Sequence, residues 1–261
     1  MEAFQLSVQN GVALLTINRP RQYNAISQEM WRTLAEIATR LEQDSNVRVV
    51  VIQGVGEDAF STGGDISEFS KQRSDPWQAK IYNGKIELAL KSISRLSKPT
   101  IALIKGYCLG GGCMLAIHCD IRICADNAVF GMPVAQLSTL VGYRELQRFV
   151  HLIGLGATSD LLLTARRMDV HEAQAVGLCS QIYPLADIDA KVAELTERMV
   201  DLAPLAQRWH KQMLHTLLRK PDLNELTPEE GMLPDAIYDS EDYTEGVRAF
   251  LSKRPPVFRG K

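Results

Sequence analysis

Two glycine-bearing turns are where the backbone of this 261-residue chain could do chemistry. The first is AFSTGGDI at 59–66, after the β-branched run 47–53; the second is GYCLGGGCM at 106–114, after the apolar run 100–104. Successive glycines between a strand and a helix let the backbone pass close to a ligand and leave N–H groups free at a helix start. With a helix dipole behind them, such groups suit an anion, or a carbonyl oxygen that gains negative charge in a transition state. The second turn follows neither GxGxxG nor GxxxxGK[ST], which argues against a nucleotide phosphate. Glycines at a strand–helix junction also serve tight packing, so the turns alone leave both readings open.

The surrounding pattern says what must hold these turns. Residues 4–8 and 12–17 are β-rich and flank Asn10-Gly11, a hairpin signal. From Ser27, a candidate N-cap, apolar Met30, Trp31, Leu34, Ile37, Ala38 and Leu41 recur at helical spacing. Runs 47–53, 100–104 and 121–125 predict buried strands, with helices over about 78–97 and 111–118 between them. Strands alternating with helices predict an α/β fold with a largely parallel sheet. After Pro184 the pattern turns helical, over 188–202, 206–218 and 241–251, while the stretch around Pro221, Pro228 and Pro234 predicts loop.

Bulk properties narrow the classes. A formal net charge of -2 and a pI near 6.2 supply no general basic field for nucleic acid or anionic membranes. No apolar run reaches the length of a bilayer span and the N-terminus does not read as a leader, so a soluble, cytoplasmic protein is expected. Five cysteines, odd in number and without CxxC spacing, predict buried free thiols rather than disulfides or a metal site.

The two glycine turns, the longer segment IALIKGYCLGGGCMLAIHCDIRICADNAVFGMP, TINRPRQYNAIS near the start, LTARRMDVHEAQAVGL at 163–178 and EGVRAFLSKRPPVF at the end together resemble the crotonase (enoyl-CoA hydratase/isomerase) superfamily, in order and over essentially the whole chain. That resemblance implies a spiral of ββα units over residues 1–200. It also implies a helical segment over 201–261 that assembles trimers, often paired into hexamers. The backbone N–H groups of Gly64 and Gly111 would hold a thioester oxygen and stabilise an enolate. Arg21, Gln22, Tyr23 and Ala25, with the backbone at Asp65 and Ile66, would line the coenzyme A moiety. Lys253 and Phe258 would come from a neighbouring subunit. No metal or redox cofactor is implied, coenzyme A being part of the substrate.

The chain departs from the family at two decisive places. Hydratases of the family carry a glutamate after the glycines, in a GGGCE pattern, and another after the proline in FGxPE; here these positions are Met114 and Val134. A thioether and an isopropyl group neither give nor take a proton, so water addition by two carboxylates is not open. Candidate replacements follow at Tyr143 and Glu145, beside Arg144: a phenol that could donate and a carboxylate that could act as base, expected near the acyl end of the pocket. The same residues could simply begin a helix and cap it. Glu68 is a lesser candidate for the cleft, Asp65 reads as a cap, His118 as a buried, satisfied histidine, and Cys113 as an inert thiol. Three functions stay open: a hydratase or isomerase with unorthodox acid/base groups; a decarboxylase or thioester hydrolase of the same superfamily; and a non-catalytic acyl-CoA binder.

Overall fold

The computed structural model describes residues 3–261. Strands β1 (Phe4–Gln9) and β2 (Val12–Ile17) form the expected antiparallel hairpin, with Gln9 opposite Val12. Asn10 and Gly11 both take positive φ, 49° and 81°, the conformation that a two-residue turn matched to strand twist requires. Helix α1 (Gln28–Gln43) starts where Ser27 accepts a hydrogen bond from the Met30 N–H. Its stripe of Met30, Trp31, Leu34 and Leu41 is buried.

From there the chain winds as a spiral. Strand β3 (Val49–Gly54) turns into the short β4 (Ala59–Ser61), then α2 (Phe69–Gln72) and α3 (Pro76–Ser94). The next turn is β5 (Thr100–Ile104), β6 (Tyr107–Leu109) and α4 (Gly111–His118), and the third is β7 (Ile121–Ala125), β8 (Val129–Gly131) and α5 (Tyr143–Leu163). A shorter passage adds β9 (Arg167–Asp169), α6 (Val170–Ala175) and β10 (Gln181–Tyr183). The long strands stack into one sheet, ordered β1-β2-β3-β5-β7-β10 and parallel from β2 onward; the three-residue strands form a second, ordered β4-β6-β8-β9. The chain changes sheet at sharp corners such as Gly106, at φ 58°, where a Cβ would strike the Asp58 carbonyl.

Burial on both faces explains why β3 and β5 read as near-continuous apolar runs without alternation. Helix α1 packs on α3, enclosing the fully buried Trp31 and Tyr82. All five cysteines are free and buried, as their spacing predicts.

The rest is helical: α7 (Ile188–Val200), α8 (Pro204–Arg219), α9 (Pro228–Ala236) and α10 (Glu241–Leu251). The expectation of loop around Pro228 and Pro234 is corrected by α9. Pro228 opens that helix, where its missing N–H costs nothing, and Thr227 with Glu230 forms a reciprocal capping box. Helix α8 is tied to the spiral by Lys211, whose buried ammonium lies 2.7 Å from Asp120 and donates to the Lys98 carbonyl. The C-terminal strap returns to the start of β3, where Arg48 donates to the Phe258 carbonyl at 2.9 Å. No helix among the described residues is long and apolar enough to cross a membrane.

Candidate active site

The first glycine turn is positioned from the segment before α1. Asn24, buried and at φ 57°, donates through its side-chain amide to the carbonyls of Val55 and Ala59, and its Oδ1 accepts from the Arg19 N–H. This brings Ile26 alongside the turn. The Ile26 N–H donates to the Gly63 carbonyl (2.7 Å) and the Asp65 N–H to the Ile26 carbonyl (3.0 Å), a parallel bridge that leaves the Gly64 N–H on the opposite side. Asp65 caps the short 3-10 helix Ile66–Glu68, as its type predicts, and Ser67 and Arg19 hold its carboxyl below the usual carboxylate range.

The second turn meets the first on that side. Gly110, at φ 50°, donates to the Gly131 carbonyl, and Gly111 begins α4, so its N–H has no acceptor one turn back. The two turns touch: a Cβ on Gly111 would lie 3.3 Å from the Gly64 nitrogen, and one on Gly63 would lie 2.6 Å from the Gly111 nitrogen. Only bare glycine backbone permits this approach. Gly64 and Gly111 both line one cavity of about 100 Å³. Its other walls are mainly apolar, with Trp31, Phe69, Met114, Val134, Leu140 and Val141 among them. Met114 and Val134 thus face the same space as the two amides.

The candidate acid/base residues do not reach it. Tyr143 is 91% exposed at the first position of α5 and lines no part of this cavity. Glu145 is buried, but in a separate cavity of about 760 Å³ shared with His118, Arg148, His151, Lys211 and His215. The wall of the glycine pocket runs only as far as Val141; at Gly142 the chain turns into α5 and carries the next residues away. The Glu145 carboxylate folds back toward the helix start, reaching its own backbone N–H, and burial raises its pKa. Arg144 pairs with Glu87 at 2.7 Å instead of restraining Glu145. The expectation of a phenol and a carboxylate at the acyl end is therefore corrected: they start a helix.

Glu68 is also outside the pocket, its carboxylate accepting from the Gln28 N–H at the start of α1. His118 is a satisfied buried histidine, its Nδ1 2.8 Å from the Met114 carbonyl, and burial pushes its pKa down to about 4. Cys113 is fully buried. Arg21 and Gln22 are exposed on a 3-10 turn beside Tyr23, which stacks edge-on to Tyr107 at 6.3 Å, while Ala25 is buried behind them and the exposed Ile66 borders the pocket. Lys253 is exposed just past α10, and Phe258 packs over Gly246; neither lines the pocket. Sequence reasoning missed Asn24 as the anchor of the first turn, and Trp31, Phe69 and Arg73 as pocket walls. Among the described residues, no group of three or more His, Cys, Asp or Glu side chains is placed to hold a metal ion.

Comparison with known proteins gives the family and the fold. A profile of the family described as enoyl-CoA hydratase/isomerase matches residues 7–261. The chain belongs to the enoyl-CoA hydratase/isomerase family. Within it, the short-chain-enoyl-CoA hydratase of Clostridium acetobutylicum is 31% identical over 250 residues, 95% of this chain and 94% of that one. The crotonyl-CoA hydratase of Syntrophomonas wolfei is 30% identical over 256 residues, 98% and 97% of the two chains. A solved enoyl-CoA hydratase/carnithine racemase from Magnetospirillum magneticum superposes with a TM-score of 0.95 at 37% identity, covering 100% of this chain and 97% of that one. An enoyl-CoA hydratase from Bacillus anthracis gives 0.93 at 30% identity over the full length of both. The fold of this family member is the crotonase spiral.

Proposed function

We propose that this family member is an acyl-CoA-processing enzyme that holds a thioester oxygen between the N–H groups of Gly64 and Gly111 and works through the enolate so stabilised. The observation that carries this reading is the contact of the two glycine turns over one small, largely apolar cavity. Pre-oriented backbone donors in a water-poor site strengthen as negative charge grows on the oxygen, and losing one such donor costs ~3–4 kcal/mol of barrier lowering. Arg21, Gln22, Tyr23, Ala25, Asp65 and Ile66 would line the coenzyme A moiety. Lys253 and Phe258 would act from a neighbouring copy in a trimer or hexamer.

The residues present favour one class of reaction over another. Hydration and isomerisation require protons to be moved at the α-carbon, and among the described residues no carboxylate, imidazole or phenol lines the cavity. Loss of CO2 from a β-carboxylated acyl thioester needs no base. The bond from the α-carbon to the carboxylate breaks, its electron pair enters the enolate under the two amides, and water or a nearby donor then protonates the carbon. Decarboxylation is thus the reading favoured within the acyl-CoA family, with hydration or isomerisation through an unorthodox group as the second. Turnover of a thioester panel tests the ranking: CO2 release from malonyl-type thioesters without hydration of crotonyl-CoA is expected. Crotonyl-CoA hydration at a normal rate would reverse the order, and tight coenzyme A binding with no turnover would leave only a binding function.

A further inference from the structure

Among the described residues, Arg73 is the one charged side chain lining the glycine cavity, and no acidic group pairs with it. It follows α2 and is half-buried, its guanidinium carbon 4.4 Å from the ring centres of both Phe69 and Tyr82. Those rings meet edge-on, 5.8 Å apart at 76°, so the cation sits in a rigid corner. Ring faces stabilise a guanidinium but leave its in-plane N–H donors unused. The Nε is buried without an acceptor. A buried donor left without a partner is costly.

The same wall concentrates the remaining unmet polarity. Trp31 Nε1 and the Tyr82 hydroxyl are also buried without partners, although they lie near one another. The Tyr82 hydroxyl is 3.0 Å from where a Gly64 Cβ would stand, and a Trp31 ring carbon 3.1 Å from where a Gly111 Cβ would stand. Among the described residues, these three are the buried side-chain polar atoms without a hydrogen-bond partner; Arg73 and Trp31 line the cavity, and the fully buried Tyr82 stands behind Gly64. A planar fork of donors in an otherwise apolar pocket matches a carboxylate, which accepts two parallel hydrogen bonds. A neutral acyl chain would leave the buried Nε unmatched.

We propose that Arg73 is a specificity residue that takes the free carboxylate of a short dicarboxylic acyl thioester while Gly64 and Gly111 take the thioester oxygen. This rests on the acyl-CoA reading above and narrows its substrate class.

Succinyl-CoA and butyryl-CoA are a four-carbon pair that differs in a terminal carboxylate, with free coenzyme A as reference. Calorimetric titration of the full chain is expected to show succinyl-CoA binding roughly tenfold or more tightly than butyryl-CoA, the range of one charge-assisted pair. Arg73→Met is expected to erase that preference, leaving butyryl-CoA and coenzyme A within about twofold, and Arg73→Lys to keep part of it, since a point charge lacks the fork. Equal affinity of the wild-type protein for the two thioesters overturns the proposal while the acyl-CoA reading stands. So does an Arg73→Met protein that loses coenzyme A as much as succinyl-CoA, which would put Arg73 on a phosphate. If neither thioester nor coenzyme A binds the folded wild-type protein, the underlying reading falls with it.

Discussion

The amide nitrogen of Gly111 stands 2.6 Å from where a methyl on Gly63 would be, so the two turns meet through hydrogen atoms alone. Gly63 is also at φ 97°, where an L-residue is strained. Gly63→Ala is expected to push the turns apart, lowering stability by ~2 kcal/mol and turnover by a larger factor than that loss explains. Gly111→Pro deletes the donor and also adds a ring where a Cβ alone would stand 3.1 Å from Trp31 and 3.3 Å from the Gly64 nitrogen. A drop in kcat of roughly 100- to 1000-fold, beyond what the accompanying fall in Tm explains, is the expected result. Unimpaired turnover by a folded Gly111→Pro protein would remove the oxyanion mechanism.

Met114 and Val134 line the same cavity as the amides, so restoring carboxylates there is a direct test of what their loss decided. Met114→Glu with Val134→Glu is expected to gain crotonyl-CoA hydration, followed by loss of enoyl absorbance. Met114→Ala should be comparatively mild, because a thioether does no proton transfer.

The link between spiral and C-terminal helices has a calculable weak point. Lys211 and Asp120 are 2.7 Å apart, and the lysine side chain is only 8% exposed. Removing one partner of a buried pair leaves an uncompensated charge, so Lys211→Met should cost ~3 kcal/mol in chemical denaturation, and adding Asp120→Asn should recover part of it.

Acid sensitivity should centre on His118. Burial, chiefly, with Arg148 and His215 nearby, lowers its pKa to about 4, whereas an unfolded histidine titrates near 6.5. Between those values the unfolded chain binds the proton and the native one does not, so stability falls as pH drops from 6.5 toward 4 and this contribution levels off below. The loss between pH 6.5 and 4.5 is ~2 kcal/mol for His118 alone. Burial lowers the His215 pKa as well, which adds in the same direction. Denaturant midpoints across this range should slope less in His118→Gln; an unchanged slope would assign the effect elsewhere.

How far the chain could be read without coordinates varied by element. The hairpin, α1 and the long strands were legible because each carries its own periodicity or turn chemistry. Strands β4, β6, β8 and β9 were not, since three residues hold no period and pair only because the spiral brings them together. Helix α9 was hidden by counting its prolines as breakers when one of them sits at the N-terminal position that suits it. Tyr143 and Glu145 were misplaced for a related reason: closeness in sequence to the pocket wall says nothing once a helix begins between them and it.

By itself, the sequence determined the family, the two glycine turns and the absence of glutamates at 114 and 134, because each is a property of residue type at fixed spacing. Only the tertiary structure decided that the turns touch, that the candidate phenol and carboxylate lie elsewhere, and that an arginine with no local signature joins the pocket wall. Those outcomes depend on which side of a backbone faces which neighbour across long stretches of chain, and such relations are set by packing, not by local pattern.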